Sequence, residues 1–222
     1  MRRSIHFLLL LVLTCRIAVA KTPSDHGSEP LQLNVRVFNY APGCSGQARK
    51  EAQAIASRIF YRAGIEVRWV DCSLSGDGTL TFQECTAPLQ TTTIILRLVP
   101  TSPATRAHFG RDTLGIAAQA ETGTDASASV FHDRVKQLAA AWLVSLPLVL
   151  GHAMAHEIGH LLLGAGSHSP GGLMREHWKR QDLTRAAEGN LLFNGREAGR
   201  IRTEVRKRRV AAEKYANSLV VR

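Results

Sequence analysis

The sequence predicts an α+β fold in which helices pack on a mixed, mostly parallel sheet. A strand, a helix and a second strand follow one another at the lengths of a right-handed crossover, the connection that joins parallel strands. The chain has 222 residues, of which 45% are hydrophobic and 21% are charged. This composition suits one compact core and is too apolar for a disordered chain. We therefore expect a single domain over residues 31–222.

The first 20 residues predict a cleaved secretory signal peptide. Two arginines precede the apolar run 7–13, and the small residues Ala18 and Ala20 follow it. The run is too short to cross a bilayer comfortably. Cleavage near Ala20 predicts a secreted or periplasmic protein and lowers the formal charge from +10 to +7, because three arginines leave with the leader. Residues 21–30 are polar and predict a flexible lead-in.

Apolar periodicity predicts the elements that follow. Alternating and short apolar runs predict strands over 31–38, 65–70, 92–99, 114–118 and 126–131. Apolar residues at helical spacing predict a helix over 46–63 that ends at Gly64. His132 is expected to end a strand, and Asp133 to cap a second helix that runs to about residue 144.

A third helix is predicted to begin after Ser145 and to end at Gly164. Pro147 is tolerated in a first turn because its missing N–H has no partner there in any case. The stretch 138–163 is apolar enough to suggest a membrane span. Pro147 and the polar residues of the motif described next favour a buried helix instead.

Three histidines and one glutamate at the end of this helix predict a metal site. His156 and His160 lie one turn apart on one face, where two imidazoles can share one Zn²⁺ at about 2.0–2.1 Å. Glu157 is rotated by about 100°, so it reaches a metal-bound water without binding the metal. Gly164 permits a positive φ, which lets the chain turn back so that His168 can be a third ligand. Three protein ligands leave a fourth position on the metal for water.

The run HEIGHLLLG, followed by HS and GLM, resembles the metzincin clan of zinc metalloproteases and is most similar to predicted secreted bacterial proteins with these motifs. The clan pattern is HExxHxxGxxH followed by a Met-turn. Here Gly164 comes eight residues after His156 rather than seven, and His168 comes twelve residues after it rather than ten. One extra residue precedes Gly164 and another falls within 165–167. The specific resemblance covers about residues 145–178.

The resemblance implies a metzincin-like fold, with an upper lobe of about 31–164 and a small, helical lower part of about 165–222. Met174 would be the Met-turn residue, an apolar floor beneath the metal and not a ligand. An extended peptide substrate would lie beside an edge strand, for which 126–131 is the candidate. Zn²⁺ would activate a water, and Glu157 would take its proton and pass it to the leaving amine.

Several residues near the motif have competing interpretations. Three downstream residues are alternatives to His168 as the third ligand: Glu176, His177 and Glu188. His152 lies one turn before His156 and either supports the site or touches substrate, or is an ordinary hydrogen-bonded histidine of the cleft. Trp178 is predicted to be a core residue under the last helix.

Three cysteines remain after the leader is removed. Cys72 and Cys85 flank a turn-rich stretch and are the natural disulfide pair. Cys44 is then free and is expected to be an ordinary loop thiol. The less favoured alternative is a latency switch that caps the metal, as in some secreted metalloproteases.

The segment 195–222 predicts a helix with a cationic face, since it has nine basic residues and three acidic ones. We expect a solvated surface, with weak contact to an anionic envelope surface as the alternative. Nucleic acid is not an expected partner, because no aromatic residues are interleaved with the basic ones as in nucleic-acid motifs.

Together these features predict a secreted endopeptidase with one catalytic Zn²⁺ and a protein or peptide substrate. The main alternative is an exported zinc-binding protein without activity that attaches to a surface through its basic helix. A third interpretation is a basic surface-binding module in which the metal site is vestigial.

Overall fold

The structure is a computed structural model that describes residues 30–72, 83–110, 112–119 and 126–220. The predicted signal peptide lies outside the described residues, and so does all of the predicted lead-in except Pro30. Most of the turn-rich stretch between Cys72 and Cys85 lies outside them as well.

The described strands are β1 (Leu31–Asn39), β2 (Ile65–Asp71), β3 (Thr93–Val99), β4 (Gly115–Gln119) and β5 (Ala126–Phe131). They form one five-stranded sheet in the order β2-β1-β3-β5-β4. The first four strands in this order are parallel, and β4 is antiparallel to β5. This arrangement confirms the predicted mixed, mostly parallel sheet.

The prediction that 126–131 is an edge strand is wrong. Strand β5 lies inside the sheet, because it pairs with β3 on one side and with β4 on the other. The sheet edge at this end is therefore β4.

The described helices are α1 (Gly46–Arg62), α2 (Gln83–Thr86), α3 (Pro103–His108), α4 (His132–Trp142), α5 (Leu146–Leu163), α6 (Arg180–Ala187) and α7 (Gly195–Val220). The four longest were predicted, α1 and α7 from apolar periodicity and α4 and α5 from residues that begin and end a helix. The helices α2, α3 and α6 were not predicted, because eight residues or fewer give too few turns for a periodic pattern to emerge.

The helix α5 forms the centre of the core and begins as predicted. The Ser145 hydroxyl accepts a hydrogen bond from the Leu148 N–H, and Pro147 lies in the first turn. A Cβ at Gly151 would lie 2.6 Å from the carbonyl oxygen of Ala52, so this glycine allows α5 to approach α1 closely. Within the described ranges, no helix combines the length and the apolar character needed to span a bilayer.

The start of α4 differs from the prediction. The helix begins at His132, which is buried and does not end the strand. Phe131 takes the capping position without a side-chain cap. Asp133 accepts hydrogen bonds from the Thr101 N–H and hydroxyl, at 2.8 and 2.6 Å, so its carboxylate joins the end of β3 to α4.

The Cys72–Cys85 disulfide is present, as predicted. Cys44 is free, and it is buried in the main hydrophobic core. Burial raises the pKa of its thiol. Cys44 does not line the cleft that holds the predicted metal ligands, so the structure gives no support to the latency alternative.

Candidate metal centre

Three histidines converge at the end of α5. His156 and His160 project from the same face, and their Nε2 atoms are 3.0 Å apart. The His168 ring centroid lies 4.7 Å from that of His160 and 5.6 Å from that of His156. One nitrogen of each ring lies within 4.8 Å of the other two. The structure therefore brings together the three residues predicted as ligands.

Glycines in the loop after α5 turn the chain back toward the helix. Gly164 has φ 99° and Gly166 has φ 67°, conformations that side-chain-bearing residues rarely adopt. The Gly164 N–H donates to the His160 carbonyl at 2.9 Å, which ends the helix. The His168 N–H donates to the Gly166 carbonyl at 2.8 Å, and this short turn carries the third ring toward the other two.

Hydrogen bonds behind the rings orient His156 and His160. The His156 Nδ1 lies 2.8 Å from the Leu173 carbonyl oxygen. Because a carbonyl only accepts, the proton resides on Nδ1, and the lone pair of Nε2 is directed into the centre. The His160 Nδ1 lies 3.2 Å from the Ser167 hydroxyl. Sequence reasoning missed both partners, although Ser167 is next to His168 and could have been weighed as a partner of the motif.

This donor set fits a zinc ion. Imidazole nitrogens are common zinc ligands, and two of them bound to one tetrahedral ion at about 2.0–2.1 Å are about 3.3–3.4 Å apart. The 3.0 Å between the two Nε2 atoms is close to that separation. Burial lowers the pKa of His156 to about 4, and burial together with the neighbouring histidines lowers that of His160 to about 3. Both rings are thus neutral at pH 7, as metal binding requires.

The Glu157 side chain is 5% exposed and lies in the same cleft as the histidines. Burial raises its pKa to about 8. Gly115, the first residue of β4, packs against its side chain. No local pattern in the sequence could have indicated Gly115, because the contact joins residues that are 42 positions apart.

Met174 lies beneath the histidine motif and is fully buried. A Cβ at Gly159 would lie 2.7 Å from the Met174 sulfur, so the glycine inside the motif allows the methionine to approach the helix. The turn that carries Met174 includes Gly172 at φ 78° and is tied down by the Leu173 N–H, which donates to the Leu192 carbonyl at 3.0 Å.

The centre opens into a cleft of about 880 Å³. Its apolar lining includes Leu114, Ile116, Leu138 and Trp142. Glu176 and His177 also line it, with exposed fractions of 63% and 62%, but they do not belong to the group of converging histidines. Glu188 follows α6 and is not among the residues that line the cleft.

His152 and Trp178 pack behind and beside the histidines. The buried His152 ring lies 2.8 Å from the Leu148 carbonyl oxygen through its Nδ1, which is the contact of an ordinary hydrogen-bonded histidine. Trp178 is partly buried and packs against the main hydrophobic core, as predicted, and it also faces the cleft. Its ring packs edge-on against His156, with centroids 5.8 Å apart, and it lines the cleft because its indole N–H bonds to the Leu173 carbonyl.

No protein-family model matches this chain, and no curated protein matches it either. Among solved structures, the chain is similar to the crystal structure of archaemetzincin from Methanopyrus kandleri, with a TM-score of 0.44 and 11% sequence identity. The similar region covers 81% of this chain and 99% of that one. A likeness this distant gives no basis for a shared activity, so the function is argued from the residues of the centre.

Proposed function

We propose that this protein is a zinc-dependent endopeptidase. The observation that carries the proposal is the convergence of three imidazoles, from α5 and the loop after it, in a cleft that also holds a buried carboxyl group. Three protein ligands leave one position open to solvent and substrate. That open position distinguishes catalytic zinc sites from structural ones, which have four protein ligands.

The proposed roles follow from the geometry of the side chains. His156, His160 and His168 would hold the zinc ion. When bound, zinc would supply Lewis acidity. This polarises a carbonyl group and lowers the pKa of water, so that the water can lose a proton and attack at neutral pH. The Glu157 carboxylate accepts the proton that the attacking water loses and then delivers it to the nitrogen of the leaving amine. Bound zinc would favour the ionised form of this carboxyl group, which burial alone disfavours.

The edge strand β4 is the element proposed to bind the substrate main chain. Its first residue contacts Glu157, and Ile116, Ala117 and Ala118 line the cleft. A peptide that adds to this edge in an extended conformation passes directly beside the carboxyl group. Strand β4 thus takes the role that the resemblance implied for 126–131.

The burial of Glu157 argues against the inactive alternative. Among the described residues, this side chain has no hydrogen-bond or ion-pair partner, and burial is the cause of its raised pKa. An isolated buried carboxyl group destabilises a fold, so an apolar residue would serve a purely structural site better. Retention of the glutamate supports a chemical role.

Export of the protein is part of the same proposal. The leader-like sequence of residues 1–20 and the Cys72–Cys85 disulfide support it, because disulfides persist in oxidising compartments. Comparing the N-terminus of protein recovered from the periplasm or the medium with that of the encoded chain tests it.

The decisive experiment measures zinc content and peptide cleavage on the same preparations. The wild-type protein should retain one zinc per chain and cleave casein or a peptide library, and a chelator should abolish cleavage. Glu157→Gln should keep the zinc and lose cleavage, whereas the control His177→Gln should retain both. A wild-type protein with full zinc and no cleavage would support the inactive alternative, and one unable to retain zinc would overturn the proposal.

A further inference from the structure

The arginines of α7 serve two different purposes. Three of them donate hydrogen bonds to main-chain carbonyls at the ends of α5 and α1. The pairs are Arg200 with Leu163, Arg202 with Ala63 and Arg208 with Leu161. Cations at these positions satisfy carbonyls that a helix end leaves unpaired and interact favourably with the helix dipole. Part of the positive charge of this helix is therefore structural.

The exposed cations of α7 form a straight row. At about 100° per residue, Arg196, Arg200, Lys207 and Lys214 lie within about 40° of one line along the helix. All four are exposed, and we call them the cationic face. The apolar side of the helix is buried and lies opposite, at Ala198, Ile201 and Val205. The row extends over about 27 Å, since it spans 18 residues at 1.5 Å each.

Of the three carboxylates of α7 within 195–218, where side chains are described, Glu204 lies beside this face. It pairs with Arg208 at 3.0 Å and with Lys207 at 3.6 Å. Glu197 is buried and accepts a hydrogen bond from the Asn194 N–H. Glu213 lies about 100° or more from the row and pairs with Arg209 at 3.7 Å. The cations of the face thus outnumber the one carboxylate beside it.

A groove of about 730 Å³ runs beside the row, between α7 and the end of α5. Its α7 wall includes the cations Arg196, Arg200 and Lys207 and the carboxylate of Glu204, and its other wall is formed by residues 161–164. The groove is separate from the cleft of the metal centre, with which it shares only the lining residue Leu161. Three cations and one carboxylate therefore border this open groove.

We propose that this groove binds an acidic glycan, a linear polymer with carboxylate, sulfate or phosphate groups. A straight row of cations beside a channel matches the repeating anions of an extended chain. Helices that bind membranes insert several large apolar side chains. Within 195–218, the exposed side of α7 has Val210 as its one large aliphatic residue. Single-stranded nucleic acids are bound through stacked aromatic rings, and Tyr215 is the one exposed aromatic residue of α7 within 195–218.

The test is titration of the full mature chain with a fluorescent heparin octasaccharide. The variant Arg196→Gln/Lys207→Gln/Lys214→Gln removes three charges of the cationic face, and none of these side chains donates to the main chain of the described residues. A control variant, Lys50→Gln/Lys136→Gln/Arg185→Gln, removes the same charge from exposed positions on α1, α4 and α6. We expect the first to weaken binding about 10-fold or more and the control to weaken it less than about 2-fold, because only the first removes direct ion pairs.

Zinc content and peptide cleavage should be unchanged in both variants, so this proposal and the proposed enzymatic function fail independently. Equal losses of glycan affinity in the two variants would overturn the proposed site, since net charge would then explain the binding. Absence of glycan binding by the wild-type protein, or tighter binding to vesicles rich in phosphatidylglycerol or to DNA, would also overturn it.

Discussion

Gly115 and Glu157 approach each other so closely that a Cβ on the glycine would lie 2.6 Å from the Cγ of Glu157 and 2.7 Å from its Cδ. The same Cβ would lie 2.6 Å from the Ser129 carbonyl oxygen of β5, so it could not avoid the glutamate by a small shift toward the sheet. The first residue of the sheet edge thus fixes the position of the carboxyl group over the cleft.

A Gly115→Ala variant should displace the Glu157 carboxyl group and leave the three histidines in place. We expect kcat for peptide cleavage to fall by about 100-fold, as misplacement of a catalytic group by about 1 Å can cause. Zinc content should remain that of the wild type. Gly110→Ala is the matched control, because a Cβ at Gly110 meets only the Thr113 hydroxyl oxygen, at 3.9 Å. Wild-type kcat in Gly115→Ala would refute this positioning role.

Removal of the Ser167 hydroxyl should weaken zinc binding without preventing it. The hydroxyl is the partner of the His160 Nδ1 at 3.2 Å, and partners of this kind orient a ligand ring. We expect Ser167→Ala to raise the Kd for zinc about 10-fold, measured by competition with a chromophoric chelator. Ser169→Ala removes a hydroxyl in the same loop that bonds to the Gly171 carbonyl instead, and it should leave the Kd unchanged. Equal effects of the two variants would contradict the prediction.

His168 should contribute to zinc binding and His177 should not. The His168 ring belongs to the converging group, whereas His177 pairs only loosely with Glu176, at 3.9 Å. Loss of a ligand should exceed the effect of losing its supporting partner, so we expect His168→Ala to raise the Kd for zinc by more than about 100-fold. His177→Ala should bind zinc as the wild type does. Near-full zinc occupancy of His168→Ala at stoichiometric zinc would mean that another residue completes the site.

The parts of this site that the sequence predicts are those that local geometry determines. An i, i+4 pair on a helix has one arrangement, so the proximity of His156 and His160 follows once Ser145 and Gly164 bound the helix. The sheet edge could not be predicted in the same way. Whether β4 or β5 is outermost depends on long-range pairing between strands. The apolar periodicity of a strand does not indicate which strands lie beside it.

The same distinction between local and long-range determinants separates the helix starts and side chains that were predicted correctly from those that were not. Asp133 has the residue type of a helix cap, but a tertiary hydrogen bond to Thr101 takes its carboxylate away. Trp178 packs against the core, as its large apolar ring predicts, and the nearby Leu173 carbonyl holds its indole N–H at the cleft. For Asp133, a specific long-range partner outweighs a local preference, and no local pattern encodes that partner.

Glu157 should lower the stability of the metal-free protein as pH rises from 6.5 to 8. Its pKa is raised from 4.5 to about 8, so the folded state holds a proton that the unfolded state has already released. This stabilising contribution is complete below pH 4.5 and is lost as pH rises toward 8. The lowered pKa values of His132, His152, His156 and His160 act in the opposite direction around pH 6.5, where the unfolded chain binds protons that the folded protein does not. The contribution of Glu157 is therefore the difference between the wild type and Glu157→Gln. Urea unfolding of both in excess EDTA should show that the wild type loses about 1–2 kcal/mol more stability than the variant between pH 6.5 and 8. Equal slopes in the two proteins would show that the carboxyl group ionises in the folded protein as it does in the unfolded chain.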